Sequence, residues 1–581
     1  MQPTPTLCSL QPFCPGGFAS LKEALDYVAQ GERGLNFHTA RGELADVLSY
    51  RELAERARTH AGRFVRLGLV PGDRVILLAD TDRDFVINFM ACQYAGLLPA
   101  PAPIPVLFGE QSEYIEGLRR RIVDAKAQAA IGPAALEPLL REAAEGLRLK
   151  FLGSAEAFAE LPADPCPEIA VQGDDIAYLQ YSSGSTRSPA GIEISQNALM
   201  ANTSGIMRSG LVGRNNDRAA SWLPPYHDMG LVGFLLTPLC AGLSVDFVKT
   251  RDFARRPLIW LKILSQNRAT LAYSPTFGYE LCVRQAARAK PTGLDLSSWR
   301  AAGIGGDMVR ARVLDDFAET FAPFGFRREA FVPSYGLAET TLAVSFAQLD
   351  RGPSLHAVSR QALDAGRVEF AAANAPDASV RTFVGCGRVL PEHTLSFRDS
   401  EGREVAPGRV GRVFVKGPSV MSGYFDKPLE TARVLDAEGW LDTGDLGFMD
   451  QDELVITGRA KDLILLKGRN IWPQDLEWEV EALPQLRRGD AAAFGVDDGE
   501  RETVVVLVQA RLSDPAARAG LVHDVAACLK RQGLSEASVV LVPPGALPQT
   551  PSGKLSRARA KMDYLAGVYA DTGPEPRAAA L

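Results

Sequence analysis

Apolar and polar positions in the first two thirds of the chain alternate in the way that is typical of an α/β protein. Residues 48–79 predict an amphipathic helix, a turn near Pro71 and a buried strand. Similar alternation continues to about residue 380, and residues 408–417 and 453–458 then predict strands of a β-rich subdomain. The pattern therefore places the fold in the α/β class.

The length and the C-terminal pattern indicate more than one domain. At 581 residues the chain exceeds what one hydrophobic core usually serves, so at least two domains are expected. Strand patterns at residues 491–496 and 503–510, followed by a helix pattern at residues 521–532, indicate a small α+β unit. No internal repeats are visible.

The composition excludes several classes of protein. It is 46% hydrophobic and 23% charged, as in an ordinary soluble globular protein, and the net charge of −7 gives no reason to expect nucleic-acid binding. The N-terminus has no signal-peptide pattern, and no apolar run is long enough to span a bilayer. The eight cysteines have no close pairs beyond Cys8 and Cys14, which argues against a zinc site or a disulfide framework. A cytoplasmic protein is expected.

A run of small hydroxyl residues and glycines at residues 181–192 suits the binding of phosphates. It follows a predicted strand that ends at about Tyr181, and it precedes Ser195, a helix N-cap, so a strand-loop-helix is expected. Gly184 would let backbone amides point at an anion. The hydroxyls add donors and a possible magnesium ligand, and they belong to Ser182, Ser183, Ser185 and Thr186. It is not a Walker loop, and an ordinary flexible turn has the same composition.

Four further motifs follow in a fixed order. They are PSYGLAET (residues 333–340), WLDTGDLG (440–447), GRAKDLILLKGRN (458–470) and LPQTPSGKLSR (547–557). Together with the first loop they resemble the adenylate-forming superfamily of acyl-CoA synthetases, luciferases and peptide-synthetase adenylation domains, over nearly the whole chain. The wordings HDMGL, GIGGDMV and GRNIWPQDLE are similar to those of its fatty acyl-AMP ligases.

This resemblance implies a fold and a reaction. The fold is a large multi-subdomain N-terminal adenylate-forming domain plus a small mobile α+β C-terminal domain. With ATP and Mg²⁺, such an enzyme converts a fatty acid to acyl-adenylate, releases pyrophosphate and passes the acyl group to the phosphopantetheine thiol of an acyl carrier protein or of a polyketide or peptide synthase carrier domain. A medium- or long-chain acyl-CoA synthetase shares the adenylation motifs and uses free CoA. A non-enzymatic binding protein would be expected to lack Lys554 or Asp445, and both are present.

The resemblance also implies the domain limits and a hinge. The boundary is expected near residues 457–461, and Lys461 is the hinge about which the small domain turns. The expected segments are a large domain of residues 1–457 with an insertion at about 349–377 and a small domain of residues 458–570. The tail of residues 571–581 is rich in alanine and proline and is expected to be disordered.

Roles for the nucleotide-site residues follow from the same resemblance. The Ser/Gly loop holds the terminal phosphates, and Glu339 with Thr186 lies near Mg²⁺. Asp445 accepts both ribose hydroxyls and Arg459 assists it. The walls of the adenine site are formed by Gly305, Gly306, Asp307, Ser334, Tyr335 and Gly336. Taken singly, Glu339 could be a helix-start residue and Asp445 a turn residue, and glycine pairs are common in turns.

Lys554 is the predicted catalytic residue. A lysine presented by a Thr-Pro-Ser-Gly turn can bridge the substrate carboxylate and the α-phosphate as charge develops. A surface lysine is more often simply solvated. The match of LPQTPSGKLSR to the C-terminal pattern of the superfamily favours the catalytic interpretation.

Residues 221–242 predict an acyl pocket. This apolar run with interspersed glycines suits a tunnel with His227 as gate, although such runs are more often simply core. The pocket residues expected are Tyr226, His227, Met229, Gly233 and Tyr273. No aspartate stands where a peptide-synthetase pocket would anchor an ammonium group, which favours a simple carboxylic acid.

Two features set the chain apart from many superfamily members. The first loop has Arg187 where many carry glycine and Ala190 where many carry lysine, so a lysine contact to the terminal phosphates is lost unless Arg187 replaces it. The connection at residues 349–377 is longer than expected in an acyl-CoA synthetase and resembles the insertion of fatty acyl-AMP ligases. Its apolar residues are expected to pack on the large domain, and they are Leu355, Val358, Leu363, Val368 and Phe370. A surface elaboration without catalytic consequence is the alternative.

Overall fold

The protein is described by a computed structural model. The residues described are 17–105, 111–181, 190–210, 217–372, 374–376, 379–466, 469–497, 502–549 and 555–569. No helix among these residues is long and apolar enough to cross a membrane.

A twisted sheet of mainly parallel strands forms the centre of the large unit. The inner strands are almost completely buried, because helices connect and cover them, as the alternating pattern predicts. The spatial order of the strands is β2 (Leu44–Ser49), β1 (Gly34–His38), β10 (Ser244–Val248), β9 (Arg218–Ser221), β11 (Leu271–Ser274), β12 (Ala301–Ile304), β13 (Phe331–Gly336), β14 (Ala343–Phe346) and β17 (Arg388–Val389). All neighbours from β1 to β13 are parallel, and the pairs at both edges are antiparallel.

Smaller sheets surround this one. The first is parallel and consists of β4 (Leu98–Ala102), β3 (Arg74–Leu78), β5 (Ala129–Gly132) and β6 (Phe151–Ser154). The second consists of β7 (Ile176–Tyr181), β8 (Gly191–Ser195) and β20 (Gly423–Tyr424), and the third of β18 (Thr394–Arg398), β19 (Gly411–Lys416), β21 (Leu441–Asp450) and β22 (Glu453–Arg459). Two hairpins are formed by β15 (Leu355–Ser359) with β16 (Val380–Val384) and by β23 (Ile464–Leu466) with β24 (Arg469–Ile471).

The helices follow the same chain order. They are α1 (Leu21–Val28), α2 (Tyr50–Arg66), α3 (Arg83–Ala95), α4 (Gln111–Asp124), α5 (Glu137–Ala143), α6 (Ala155–Ala159), α7 (Gln196–Arg208), α8 (Thr237–Cys240), α9 (Thr250–Arg255), α10 (Leu258–Gln266), α11 (Thr276–Ala289), α12 (Ala311–Phe321), α13 (Arg360–Asp364), α14 (Pro428–Val434), α15 (Pro473–Glu481), α16 (Pro515–Arg531) and α17 (Arg557–Leu565). A π-helical segment, Met229–Leu236, precedes α8. The helix, turn and strand predicted at residues 48–79 are present as α2 and β3, with Ser49 as the N-cap of α2.

The C-terminal unit has a core of its own. Its sheet consists of β25 (Ala491–Asp497), β26 (Glu502–Gln509) and β27 (Ser538–Val542). Alternate residues of β26 face opposite sides: Val504 and Val506 pack with α15 and α16, whereas Val505 and Leu507 pack with residues of α17. The predicted small α+β unit is therefore present, while the exact boundary at residue 457 stays a prediction.

The strand-loop-helix expected around residues 181–195 is wrong in one respect. Strand β7 does end at Tyr181, and Ser195 does cap α7, accepting a hydrogen bond from the Ala198 amide. Between them, however, residues Gly191–Ser195 form β8, which pairs antiparallel with β7. Glu193 is half-exposed between the buried Ile192 and Ile194, and this apolar–polar alternation is the sequence signal for the strand.

The connection at residues 349–377 contains β15 and α13 and is anchored on both units. Val358 and Leu363 are buried in one cluster with Phe448 of the large unit and Trp472 of the C-terminal unit. The expectation that all of its apolar residues pack down is wrong, because the side chains of Leu355 and Phe370 are 47% and 55% exposed.

Candidate active site

One large cavity lies between the carboxyl ends of the central strands and the C-terminal unit. Its volume is about 1310 Å³. Strand β9 has β10 on one side and β11 on the other, so the chain connections diverge at β9. Open parallel sheets bind ligands at such a point, in the crevice outside the carboxyl ends of the strands. The residues that follow β9, β11, β12 and β13 line the cavity accordingly, among them His227, Phe277, Gly305 and Glu339.

A carboxylate is held at the polar corner of the cavity by the pairing of β21 with β22. Asp445 stands opposite Arg459 in the ladder, and the Arg459 Nε lies 3.6 Å from Asp445 Oδ1. The Tyr335 hydroxyl donates to Asp445 Oδ2 at 2.7 Å, and the Asp445 amide donates to the Thr443 hydroxyl. A carboxylate fixed in this way can accept hydrogen bonds from a pair of neighbouring hydroxyls.

Burial is the main cause of the pKa shifts of the titratable side chains in this corner. Burial raises the pKa of Asp445, while the Arg459 charge and the Tyr335 hydrogen bond oppose the shift. Burial, and then the Asp445 charge, raises the pKa of Tyr335 well above its usual value, so its hydroxyl remains a donor. Burial lowers the pKa of Lys461, whose side chain lines the same cavity.

Glu339 lies on a short 3₁₀ turn after β13. The Tyr424 hydroxyl donates to Glu339 Oε1 at 3.1 Å, and the Glu339 carbonyl accepts from the Met421 amide. Burial raises the pKa of Glu339. A divalent cation beside this carboxylate would stabilise its ionised form, so the residue fits a metal ligand. Among the described residues there is no group of three or more His, Cys, Asp or Glu side chains that could hold a metal by themselves.

The residues predicted to form the adenine walls come together at the cavity. Gly305, Gly306, Ser334, Tyr335 and Gly336 all line the cavity. A Cβ on Gly305 would lie 2.9 Å from the Ser334 backbone carbonyl, and Gly306 has φ +80°, so both positions favour glycine. Asp307 lines the cavity as well, and its carboxylate also accepts from the Thr276 amide and hydroxyl and from Arg488.

Asp307 therefore belongs to the contact between the two units. Arg488 bonds both Asp307, at 3.2 Å, and Glu280, at 2.6 Å. Beside it, Arg310 forms an ion pair with Glu481. The Arg310 guanidinium also stacks on the Trp478 ring, and its central carbon lies 4.5 Å from the ring centroid. Burial raises the pKa of Glu481 to about 7.

The cavity also has an apolar arm, which extends from the polar corner around Asp445 toward the central sheet. His227, Met229, Gly233 and Tyr273 line it as predicted, whereas Tyr226 is buried beside the cavity and does not line it. The Tyr226 carbonyl instead accepts from the Gln180 side chain at 2.9 Å, which fixes the start of the π-helical segment. The Nδ1 atom of His227 lies 2.5 Å from the Asp228 carboxylate.

The C-terminal unit closes the polar side. Gln549 and Leu555 form an isolated antiparallel bridge, and both line the cavity. Arg557 bonds Glu477 through two nitrogens and Asp462 at 3.0 Å. Although burial acts to lower it, the pKa of Arg557 is raised by these two carboxylates. The predicted residues Lys554, Ser182, Ser183, Gly184, Ser185 and Thr186 lie outside the described residues.

Several lining residues were missed by the sequence analysis. Gln180, Asp228, Tyr424, Trp478, Arg488 and Arg557 line the cavity. Asp228 and Arg557 lie within the quoted motifs HDMGL and LPQTPSGKLSR and could have been found there. Arg488 and Trp478 reach the site only because the C-terminal unit docks in this orientation, and no local pattern in the sequence signals that contact.

Comparisons with known proteins agree with this geometry. A family model described as AMP-binding enzyme matches residues 37–425. A protein of Caulobacter vibrioides named putative acyl-CoA synthetase is 50% identical over 560 residues, covering 95% of this chain and 96% of that protein. JamA of Moorena producens, a medium-chain-fatty-acid–(acyl-carrier-protein) ligase, is 32% identical, covering 95% of this chain and 94% of that protein.

A solved structure is similar over the whole length. It comes from structural and functional studies of fatty acyl-adenylate ligases from E. coli and L. pneumophila. It is 43% identical in sequence, has a TM-score of 0.92 and covers 96% of this chain and 100% of that chain. The likeness therefore includes the C-terminal unit as well as the central sheet.

Proposed function

The chain belongs to the AMP-binding enzyme family, and we propose that it activates a fatty acid with ATP as acyl-AMP and then transfers the acyl group to the phosphopantetheine thiol of a carrier protein. The observation that carries this proposal is the shape of the cavity. Its polar corner around Asp445 suits a ribose, and it is continuous with an apolar arm that suits an alkyl chain.

In the first half-reaction a carboxylate oxygen of the fatty acid forms a bond to the α-phosphorus of ATP. The bond from that phosphorus to the bridging oxygen breaks, and pyrophosphate leaves with the bonding electrons. Positioning and charge neutralisation supply most of the acceleration in such a transfer. Asp445 and Tyr335 hold the ribose side of the nucleotide, while Gly305 and Gly306 allow the backbone to approach the adenine.

Mg²⁺ would be held by Glu339 and by Thr186, and when bound it would neutralise phosphate charge. Glu339 fits this role because its carboxylate is buried beside Tyr424. Lys554 would then contact the substrate carboxylate and the α-phosphate from the C-terminal unit. Its flanking residues support this, since Gln549 and Leu555 both line the cavity.

In the second half-reaction the thiol sulfur forms a bond to the acyl carbon. The bond to the AMP oxygen breaks, AMP leaves with the bonding electrons, and the thiol proton is released. The acceptor is a carrier protein in the proposal, as in the name of the Moorena producens relative. Free CoA is the alternative acceptor, as in the name given to the Caulobacter vibrioides relative.

A product assay tests the proposal directly. Purified protein is incubated with ATP, Mg²⁺ and a panel of fatty acids, with holo carrier protein, apo carrier protein or CoA added separately. We expect acyl-AMP and pyrophosphate with a fatty acid alone, acyl-carrier thioester with the holo form, and almost no acyl-CoA. The apo form is the control for the thiol. Absence of acyl-AMP refutes the activation step, and rapid acyl-CoA formation favours the synthetase alternative.

The C-terminal unit is proposed to turn about Lys461 between the two half-reactions. Lys461 lies in a short 3₁₀ turn, Ala460–Asp462, between β22 of the large unit and β23 of the C-terminal unit. A few backbone dihedrals at such a position can absorb a rotation of a domain. Because its side chain also lines the cavity, its charge and its backbone must be tested separately.

Replacement of Lys461 with proline should lower acyl transfer more than adenylation. Proline fixes φ at about −65°, which restricts the rotation but leaves one orientation accessible. Lys461→Ala is the matched control, since it removes the same charge and keeps the backbone free. Both half-reactions are measured in single turnovers. If the proline and alanine variants lose transfer equally, the hinge proposal is wrong.

A further inference from the structure

The apolar arm of the cavity descends along the central sheet toward the amino ends of the strands. Tyr273 stands beside Gly303 in the ladder, and Leu271 stands between Ala301 and Ala219. Leu271 and Tyr273 point to the same face because side chains alternate along a strand. Leu271 therefore lies about 7 Å deeper in the arm than Tyr273, at roughly 3.3 Å per residue.

Tyr273 marks the start of this deeper segment. Its ring lies flat over Gly303, where an added Cβ would come 1.8 Å from the ring. Phe234 and Phe346 are its aromatic neighbours, with centroids 5.9 Å and 6.4 Å away. Beyond this aromatic ring of residues the cavity continues, and its lining there includes Ile206, Ala219, Pro238 and Leu271.

The next residues toward the amino ends are charged and buried. Asp217, Thr270 and Arg300 directly precede β9, β11 and β12, so all three lie at the amino ends of the strands beside the arm. Arg300 bonds its carboxylate through two nitrogens, at 2.6 Å and 2.9 Å. The Thr270 hydroxyl donates to Asp217 at 2.8 Å, and Arg300 donates to the Gly210 carbonyl at 3.2 Å. The Arg300 side chain is 9% exposed, and the Asp217 side chain is 0% exposed.

The Arg300 charge is close enough to affect the arm. Burial raises the pKa of Tyr273, and the Arg300 guanidinium is the charge that opposes this shift. The ion pair therefore lies directly beyond the last apolar residues of the arm. A chain end that pushed into it would separate two buried charges, whereas an apolar floor yields by small side-chain movements.

We propose that the buried Arg300–Asp217 ion pair is the floor of the acyl pocket and sets the longest fatty acid that the enzyme activates. This proposal rests on the proposed function, because it assumes that the arm holds the alkyl chain. It makes Arg300 and Asp217 specificity-determining residues that do not touch the reacting atoms. The segment between Tyr273 and the floor holds the chain terminus, and Ala219 leaves the space for it.

The test compares two variants that act in opposite directions. Ala219→Leu adds methylenes inside the terminal segment and leaves the ion pair intact. Asp217→Val/Arg300→Met replaces the ion pair with apolar side chains of similar size, a change that buried pairs often tolerate, and methionine can move aside for a longer chain. Arg388→Ala/Asp452→Ala removes an exposed ion pair, with side chains 64% and 75% exposed, and is the matched control.

The measured quantity is the ratio of kcat/KM for a longer to a shorter saturated fatty acid in ATP–pyrophosphate exchange, on either side of the wild-type cutoff. We expect Ala219→Leu to lower this ratio by about tenfold or more and the double variant to raise it by about tenfold, the usual discrimination for a methylene in an apolar pocket. The control should keep the wild-type ratio.

A ratio within about twofold of wild type in either folded, active variant overturns the proposal. Folding is followed by thermal unfolding, and if the double variant does not fold, Ala219→Leu decides alone. Failure of the proposed function is distinguishable, since the wild type would then exchange pyrophosphate with no fatty acid of any length.

Discussion

Replacing Lys554 with alanine is expected to lower the rate of acyl-adenylate formation by about 10²-fold or more, the usual effect of removing one preorganised electrostatic contact. The charge is needed most as negative charge develops between the carboxylate and the α-phosphate. The position suits this role because the flanking Leu555 lines the cavity and Arg557 is held by Glu477 and Asp462.

Single-turnover formation of acyl-AMP measures this effect. The loss should fall mainly on the rate at saturating substrate, because the contact strengthens in the transition state. Lys530→Ala is the control, since Lys530 lies exposed near the end of α16. A Lys554→Ala variant with nearly wild-type yield of acyl-AMP would remove Lys554 from the catalytic machinery.

The sequence alone predicts the family and the fold class. The ordered motifs identified a member of the adenylate-forming superfamily that resembles fatty acyl-AMP ligases, and the comparisons confirm this. The fold class is confirmed as well. Tyr335, Asp445 and Arg459 come from three separate motifs, and the structure brings them together. They meet because Asp445 and Arg459 face each other across the β21–β22 ladder, and the Tyr335 hydroxyl at the end of β13 reaches Asp445.

Contacts between distant segments were beyond the sequence analysis. Asp307 lines the cavity, but no local pattern indicates that its carboxylate also bonds Thr276 and the C-terminal residue Arg488. Tyr226 was expected to line the acyl pocket, but its side chain is buried beside the cavity and does not line it. Such outcomes depend on how two units dock and how one segment turns, and local hydrophobic patterns contain neither piece of information.

Loosening the insertion from the C-terminal unit is the change expected to alter acceptor use most. The insertion reaches that unit through two ion pairs: Asp364 with Arg469 at 2.7 Å, and Arg360 with Asp475 at 3.7 Å. These contacts join the insertion to the C-terminal unit in the orientation in which that unit lines the cavity. If this orientation keeps CoA from reaching the acyl-adenylate, weakening the contacts should allow CoA to react.

Deleting about twenty residues of the insertion was the change that the sequence suggested. The structure favours a smaller change, because deletion would remove Val358 and Leu363 from the cluster that contains Phe448 and Trp472. The double variant Arg360→Ala/Asp364→Ala removes both ion pairs and leaves that cluster intact. The control Arg367→Ala/Glu369→Ala breaks an exposed ion pair within the same segment. In this pair an Arg367 guanidinium nitrogen lies 2.7 Å from a Glu369 carboxylate oxygen.

We expect the wild type to form acyl-AMP but almost no acyl-CoA, and Arg360→Ala/Asp364→Ala to raise acyl-CoA formation by about tenfold, which corresponds to about 1.4 kcal/mol in favour of other orientations. Partly buried ion pairs supply energies of this order, roughly 1 kcal/mol each. Single-turnover adenylation should fall much less than acyl-CoA formation rises, because the cavity residues are untouched. If the double variant adenylates well and still refuses CoA, these contacts do not control the acceptor, and the insertion is a surface elaboration with respect to catalysis.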